Sequence, residues 1–157
     1  MPHTRCCLWF DTEAEEAVTH YVSAFPNSRV TAVTRHGAGG PLPQGAVQTV
    51  DFELDGQPFV ALNGGPPAGF TSALSLVIDC DSQDEVDHYW AQLSADPAAE
   101  RGGWLRDRWG VSWQVVPTEL REMLQHPDAA RRQRVLAAVQ AMGKPDISRL
   151  QEAFDIP

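Results

Sequence analysis

Reactive side chains are few in this sequence, and Cys6 is the most nucleophilic of them. The three cysteines, Cys6, Cys7 and Cys80, cannot all pair, and the first two are neighbours, so no disulfide framework is visible. A cysteine can act as a nucleophile, whereas a free cysteine in an apolar strand is commonly a small core residue. Both interpretations of Cys6 stay open. Unpaired cysteines favour a reducing compartment, and we expect a cytoplasmic protein.

Asn63 is a candidate ligand contact at the end of a predicted strand. It precedes Gly64-Gly65-Pro66, where glycine allows a ligand to approach the backbone and the asparagine amide can both donate and accept hydrogen bonds. A turn between two structural units would use the same residue types. The sequence therefore leaves two roles for Asn63, ligand binding and turn formation.

A second group of candidate contacts lies in the last predicted hairpin. Strand alternation places Ser112 and Gln114 on one face and Trp113 on the other. A glutamine on that face could hold a carbonyl or amide of a ligand, or be a hydrogen-bonded core residue. Trp104 flanks the hairpin and could stack on a planar ligand. The predicted ligand-binding residues are Cys6, Asn63, Trp104, Ser112 and Gln114.

The charge balance makes nucleic acid a poor candidate partner. The 157 residues carry 12 basic and 21 acidic side chains, and a net charge of −9 repels phosphate backbones. The whole acidic excess lies in residues 1–117, which predicts that residues 118–157 form a separate element. No stretch approaches the about 18 consecutive apolar residues of a membrane span, and no apolar run follows the N-terminus. We expect neither membrane spanning nor secretion.

An internal repeat organises the elements that must position the candidate residues. A shift of 68 residues lays residues 8–25 over residues 76–93 without a gap. Five pairs are identical: Leu8/Leu76, Asp11/Asp79, Val18/Val86, His20/His88 and Tyr21/Tyr89. Each copy begins with an apolar run typical of a buried strand and continues as an amphipathic helix.

The residues after each predicted helix complete the repeat. In the first copy three more predicted strands follow, the last two joined by a hairpin turn at Asp55-Gly56. The second copy is compressed and ends in predicted strands over residues 104–108 and 111–116. We predict an α+β protein with tandem βαβββ units, about residues 5–66 and 72–117, in one domain spanning residues 1–117.

Residues 118–157 are predicted to form a helical C-terminal extension. A short helix opens at Thr118 as candidate N-cap, and a longer one runs from Asp128 to Met142. Asp146 caps a last helix. One face of the longer helix carries Val135, Val139 and Met142, which must be buried on this chain or on a partner.

The helical extension also bears on oligomeric state. Arg131, Arg132 and Arg134 lie near its apolar stripe and could contact the acidic residues 1–117. Sheet edges of open units need protection as well. We therefore expect a two-fold symmetric homodimer with the extension on or near the interface.

Tandem βαβββ units resemble the vicinal-oxygen-chelate superfamily, which includes glyoxalase I, bleomycin-resistance proteins and extradiol dioxygenases. The segments LWFDTEAEEAVTHYVSAFPNSRV, LDGQPFVALNGGP and GGWLRDRWGVSWQVVP look like its PhnB-like branch, whose members are often labelled 3-demethylubiquinone-9 3-methyltransferase. The similarity spans most of residues 6–156. It implies that the two units curl into a cup-shaped mixed sheet and that the protein dimerises.

The resemblance also implies where a metal would be held. In this superfamily the ligands come from the first and fourth strands of each unit, which correspond here to Cys6, Ala61, Leu74 and Gln114. Ala61 and Leu74 have no atom that can ligate a metal. The resemblance therefore predicts a metal-independent protein that binds a small molecule and needs no cofactor.

Three alternatives follow from the same resemblance and composition. A metal-dependent lyase, isomerase or dioxygenase could use displaced ligands such as His36 or Asp107. A structural or regulatory interaction domain would need no ligand. A methyltransferase is disfavoured, because such enzymes usually bind their cofactor at a glycine-rich turn after a first parallel strand, whereas glycine-rich residues 37–40 lie between two predicted hairpin strands.

Overall fold

Alternating apolar residues build the strands of the computed structural model, which describes residues 1–66 and 69–157. The chain divides into two compact units, residues 1–69 and 70–157. The first unit contains β1 (Cys6–Phe10), α1 (Ala14–Ala24), β2 (Arg29–Arg35), β3 (Val47–Leu54) and β4 (Gln57–Asn63). The second contains β5 (Ser75–Cys80), α2 (Gln83–Leu93), β6 (Trp104–Arg106), β7 (Ser112–Pro117), α3 (Thr118–Gln125), α4 (Ala129–Gln140) and α5 (Ile147–Asp155).

The four strands of the first unit form a mixed sheet in the order β1-β4-β3-β2. Strands β1 and β4 run parallel, while β3 pairs antiparallel with both β4 and β2. The predicted hairpin turn is confirmed, since Asp55 and Gly56 connect β3 to β4 with positive φ angles of 47° and 75°. Helix α1 packs on β3 and β4 and buries Val18 and Tyr21 completely. The first unit is the predicted βαβββ arrangement.

The second unit has the same arrangement with one strand fewer. Its sheet order is β5-β7-β6, with β5 parallel to β7 as β1 is to β4. Ten residues separate the end of α2 at Leu93 from the start of β6 at Trp104. In the first unit, twenty-two residues, which include β2, separate the end of α1 from the start of β3. This shorter connection holds a single 3₁₀ turn, Pro97–Ala99. The α+β class is confirmed, but among described residues 69–157 the second unit is βαββ, because the connection is too short for a counterpart of β2.

The C-terminal extension folds into three helices, as the sequence predicts, and these helices share one apolar cluster. The cluster consists of buried Leu120, Met123, Val135, Val139, Met142 and Leu150. The apolar stripe of α4 is therefore covered by α3 and α5 of the same chain, which removes it as a reason for dimerisation. Asp146 caps α5 as predicted, accepting a hydrogen bond from the Arg149 backbone N–H at 3.1 Å.

Two details of the extension differ from the sequence-based expectation. Thr118 is the first residue of α3, not its N-cap, because Pro117 ends β7 and leads directly into the helix. The Thr118 hydroxyl donates instead to Asp81 Oδ1 at 2.7 Å. Arg132 and Arg134 donate to backbone carbonyls near the ends of α3 and α5, at His126 and Ile156, each at 2.6 Å. These guanidinium groups cap helix C-termini within the extension.

Backbone hydrogen bonds fasten the extension to the sheet of the second unit. The N–H groups of Gly102 and Gly103 donate to the carbonyls of Met142 and Gly143, at 2.7 and 3.0 Å. Gln83 of α2 donates to the Pro145 carbonyl and accepts from the Ile147 N–H, at 3.0 and 2.9 Å. The extension is therefore an integral part of the second unit.

Candidate functional site

A cleft of about 650 Å³ lies in the second unit between the β6-β7 hairpin and helices α3 and α4. Two of the predicted ligand-binding residues, Trp104 and Gln114, line it. They come together because Trp104 pairs with Gln114 in the β6-β7 register, which places both side chains on one face of the sheet. The helices supply the opposite wall, including Leu120, Leu124, Leu136, Val139, Gln125 and Gln140.

A two-residue turn fixes the rim of the cleft. Arg101 and Trp104 exchange both backbone hydrogen bonds, at 3.1 and 3.0 Å, across Gly102 and Gly103. Both glycines have positive φ angles, 61° and 85°, as the central residues of a type I′ turn require. A Cβ on Gly103 would lie 2.7 Å from the Val115 carbonyl oxygen, so only glycine fits there. Arg101 was missed by the sequence analysis, although a Gly-Gly pair before a strand is a hairpin signal.

Strand β7 shows the predicted alternation. Trp113 and Val115 are buried on one face, at 2% and 1% exposure, while Gln114 on the other face is half-buried. The Gln114 amide nitrogen donates to the Ser75 hydroxyl on β5 at 2.8 Å. This bond uses one donor of the amide and orients its carbonyl oxygen. Ser112 is buried at the far end of β7, and it does not line the cleft.

Cys6 and Asn63 lie in the first unit, at opposite ends of the paired strands β1 and β4. Cys6 shares a strand face with Leu8 and Phe10, both buried, whereas Cys7 and Trp9 lie on the exposed face. Desolvation raises the pKa of the Cys6 thiol, which disfavours the nucleophilic thiolate. Ligand contact by Cys6 stays a prediction.

Asn63 is buried and its amide is engaged within the first unit. Its oxygen accepts from the Ala14 N–H at 2.9 Å, and its nitrogen donates to the Val47 carbonyl at 3.2 Å. The first bond caps the N-terminus of α1, whose own N-cap residue, Glu13, makes no side-chain cap. Asn63 thus joins three elements of the first unit, and ligand contact by this residue stays a prediction.

Two of the four positions that the vicinal-oxygen-chelate resemblance implies for metal ligands carry side chains without a donor atom. Ala61 is completely buried and, like Leu74, offers no donor atom. His36 and Asp107 were considered as displaced ligands of a metal-dependent enzyme. His36 belongs to the first unit and Asp107 to the second. Asp107 is buried and accepts from the Trp113 indole and from the N–H groups of Trp109 and Val111, at 2.9 to 3.0 Å. Within the described ranges, 1–66 and 69–157, no three His, Cys, Asp or Glu side chains are grouped to hold a metal.

A second cleft in the same unit has the opposite charge. It has a volume of about 770 Å³ between α2, α3 and α5, and its lining includes Asp81, Asp87, Glu119, Asp146 and a single cation, Lys144. Lys144 pairs with Asp87 at 2.6 Å. The two clefts therefore present different electrostatic environments on one unit.

None of the helices in the described part of the chain is long and apolar enough to cross a membrane. No curated protein matches the chain.

Several solved structures are similar to this chain in fold. A putative 3-demethylubiquinone-9 3-methyltransferase, PhnB protein, from Bacillus cereus is 30% identical with a TM-score of 0.64, covering 74% of this chain and 100% of that one. Protein PA1353 from Pseudomonas aeruginosa is 20% identical with a TM-score of 0.57, covering 74% and 98%. The fosfomycin resistance protein FosX from Listeria monocytogenes, complexed with Mn(II) and sulfate, is 12% identical with a TM-score of 0.50, covering 79% and 95%.

The family model described as 3-demethylubiquinone-9 3-methyltransferase matches residues 2–116. This match ends before α3, whereas the resemblance was expected to span most of residues 6–156, including the helical extension. Helices α3 and α4, which form one wall of the cleft, lie outside the residues that the family model matches. The chain belongs to the 3-demethylubiquinone-9 3-methyltransferase (PhnB-like) family.

Proposed function

We propose that this protein is a metal-independent small-molecule-binding protein whose ligand occupies the cleft lined by Trp104 and Gln114. The observation that carries the proposal is the composition of this cleft. An indole ring and aliphatic side chains line it together with three glutamine amides, Gln114, Gln125 and Gln140. A mostly apolar concave site with a few polar groups is typical of small-molecule recognition.

The side chains at the metal positions implied by the resemblance support metal independence. Ala61 and Leu74 provide no ligand atom, and the Gln114 amide is held by Ser75. Neutral amide oxygen is a weak ligand beside carboxylate or imidazole. A metal-dependent reaction of the kind that the resemblance implies would therefore need metal ligands from other positions of this chain.

The strand topology counts against methyl transfer. The glycine-rich residues 37–40 connect β2 to β3, which pair antiparallel. A nucleotide-like cofactor is usually held where a glycine-rich turn joins a parallel strand to a helix. Residues 37–40 do not have that context, so the methyltransferase label is a poor guide to activity.

The proposal can be tested by filling the cleft. Leu136 lines it and is 44% exposed, whereas neighbouring Ala137 on α4 is exposed outside it. Aromatic and amide-bearing metabolites are screened by thermal shift on the unmodified protein. We expect Leu136→Trp to weaken binding of a hit at least about tenfold and Ala137→Trp to leave it unchanged. Absence of any hit, or equal binding to both variants, contradicts the proposal.

A metal-dependent lyase, isomerase or dioxygenase is the alternative enzyme. Its displaced ligand could be His36, whose buried Nε2 atom has no hydrogen-bond partner in the described part of the chain. Elemental analysis of protein purified without chelators separates the two hypotheses. Stoichiometric, tightly held Zn, Ni, Mn or Fe that is lost in His36→Ala would establish the alternative.

We also propose that the chain forms a homodimer in the cytoplasm. All seven residues of edge strand β2 are exposed, and an exposed edge offers unpaired backbone groups to a second copy. The free Cys6, Cys7 and Cys80 support a reducing compartment. Light scattering during size-exclusion chromatography should give a dimer for the full chain and for a chain ending at Pro117. A monomeric full chain contradicts the proposal, and a dimer lost only on truncation would place the helical extension at the interface when circular dichroism shows that the truncated chain is still folded.

A further inference from the structure

The charge of the Trp104 cleft departs from that of the chain. The chain has a net charge of −9, yet the residues lining this cleft include two arginines, Arg101 and Arg121, and no acid. The second cleft of the same unit contains four acids. A concave surface of one sign focuses its field and favours ligands of the opposite sign. The Trp104 cleft is thus suited to an anion.

The two arginines differ in their availability. Arg121 forms an ion pair with Asp79 across to β5. Arg106, Arg131 and Lys144 are likewise paired, with Asp96, Asp128 and Asp87. The Arg101 guanidinium has no hydrogen bond or ion pair with any residue that the structure describes. It can therefore bind an incoming anion without breaking an existing contact.

The Gly102-Gly103 turn pairs Arg101 with Trp104 across the hairpin. Residues that exchange both hydrogen bonds of an antiparallel pair carry their side chains on the same face. Arg101 and Trp104 are such a pair, and both line the cleft. A planar group stacked on Trp104 would have its substituent within reach of the guanidinium, whose planar donors match carboxylate, sulfonate or phosphate.

We infer that the ligand of this cleft is an aromatic anion, whose ring contacts Trp104 and whose acidic group pairs with Arg101. This inference rests on the proposed function and narrows its ligand class. It also gives Arg101 a positioning and specificity role. The side chains of Gln125 and Gln140 make no hydrogen bond with any described residue, so they can contact other polar groups of the ligand.

Two fluorescent probes of nearly equal shape test the inference with the full chain. 1-Anilinonaphthalene-8-sulfonate carries a sulfonate, and N-phenyl-1-naphthylamine lacks it. We expect the anionic probe to bind at least about tenfold more tightly, with an affinity that falls as salt is added. Arg101→Gln should remove this difference and leave the neutral probe unaffected. The control is Arg149→Gln, because Arg149 is also exposed without a described side-chain partner but lies outside the cleft.

The outcomes separate this inference from the proposed function. If both probes bind with equal affinity and Leu136→Trp weakens the binding of both, the cleft binds ligands and the anion preference is wrong. If Arg149→Gln weakens the anionic probe as much as Arg101→Gln does, the effect is long-range charge and the assignment to Arg101 is wrong. If neither probe binds, or Leu136→Trp leaves both unaffected, the ligand cleft itself is contradicted.

Discussion

The side-chain oxygen of Asn63 accepts a hydrogen bond from the backbone N–H of Ala14 at 2.9 Å, so the last residue of β4 caps the first residue of α1. The two residues are 49 positions apart in the sequence. Asn63 is 8% exposed, and its amide nitrogen also donates to the Val47 carbonyl at the start of β3. One side chain therefore fixes the position of a helix end relative to two strands.

Replacing Asn63 by alanine should destabilise the protein by about 1–3 kcal/mol, because the Ala14 N–H and the Val47 carbonyl lose a partner in a buried site. Urea unfolding followed by circular dichroism measures the change. Gln57→Ala is the control, since Gln57 lies exposed at the other end of β4 and should change stability by less than about 0.5 kcal/mol. Equal effects of the two substitutions would contradict the capping role.

The two glycines of the Arg101–Trp104 turn should respond differently to alanine. Gly102→Ala should cost about 1–2 kcal/mol, since its φ of 61° is unfavourable for a residue with a Cβ while its nearest neighbour would lie 3.8 Å away. Gly103→Ala should cost more, because its Cβ would meet the Val115 carbonyl oxygen at 2.7 Å. Thermal unfolding of both variants gives the order. A smaller loss for Gly103→Ala than for Gly102→Ala is the result that would falsify this account.

Asp107→Asn should destabilise the second unit by roughly 1–3 kcal/mol, although it nearly preserves side-chain shape. Asp107 is 4% exposed and accepts three hydrogen bonds, one from the Trp113 indole at 2.9 Å. An amide nitrogen would face at least one of these donors, leaving a buried donor unpaired. Near-ultraviolet circular dichroism and tryptophan fluorescence report on Trp113. Asp55→Asn, at the exposed β3-β4 turn, should leave both spectra unchanged.

The buried Cys80 thiol should make the protein less stable in alkali. Burial, followed by the charges of Glu85, Asp79 and Asp81, raises its pKa from 9.0 to about 12. The unfolded chain then releases this proton more readily than the folded one, so the contribution is complete below pH 9 and lost as the pH rises toward 12. Urea midpoints between these limits should fall more steeply for the unmodified protein than for Cys80→Ala. Parallel curves would contradict the assignment to Cys80.

Thiol labelling provides a separate check of the cysteine environments. Cys7 is exposed and Cys80 is buried. At mildly alkaline pH an aromatic disulfide reagent should therefore modify Cys7 in the folded protein and Cys80 only after denaturant is added. Mass spectrometry of the digested protein identifies the modified residue. Modification of Cys80 before Cys7 would contradict the described burial.

Features with local causes could be predicted from the sequence. Alternation alone placed Trp113 and Val115 on one face of β7 and Gln114 on the other, because successive strand residues point to opposite sides. The Asp55-Gly56 turn and the Asp146 cap follow from residues only a few positions apart. The internal repeat was visible because its two copies need the same apolar spacing. Each of these signals depends on neighbours along the chain.

The partners of individual side chains were decided only by the tertiary structure. The pattern of α4 required its apolar stripe to be buried, but it could not tell that Leu120 and Leu150 of the same extension would cover it. Arg132 and Arg134 had the charge for an acidic partner, and they contact helix-end carbonyls instead. Asn63 is suited to a turn or a ligand, and long-range packing brought it to the N-terminus of α1. The cleft beside Trp104 likewise needs strands and helices that meet only on folding, because hydrophobic burial is non-directional and does not specify which surfaces come together.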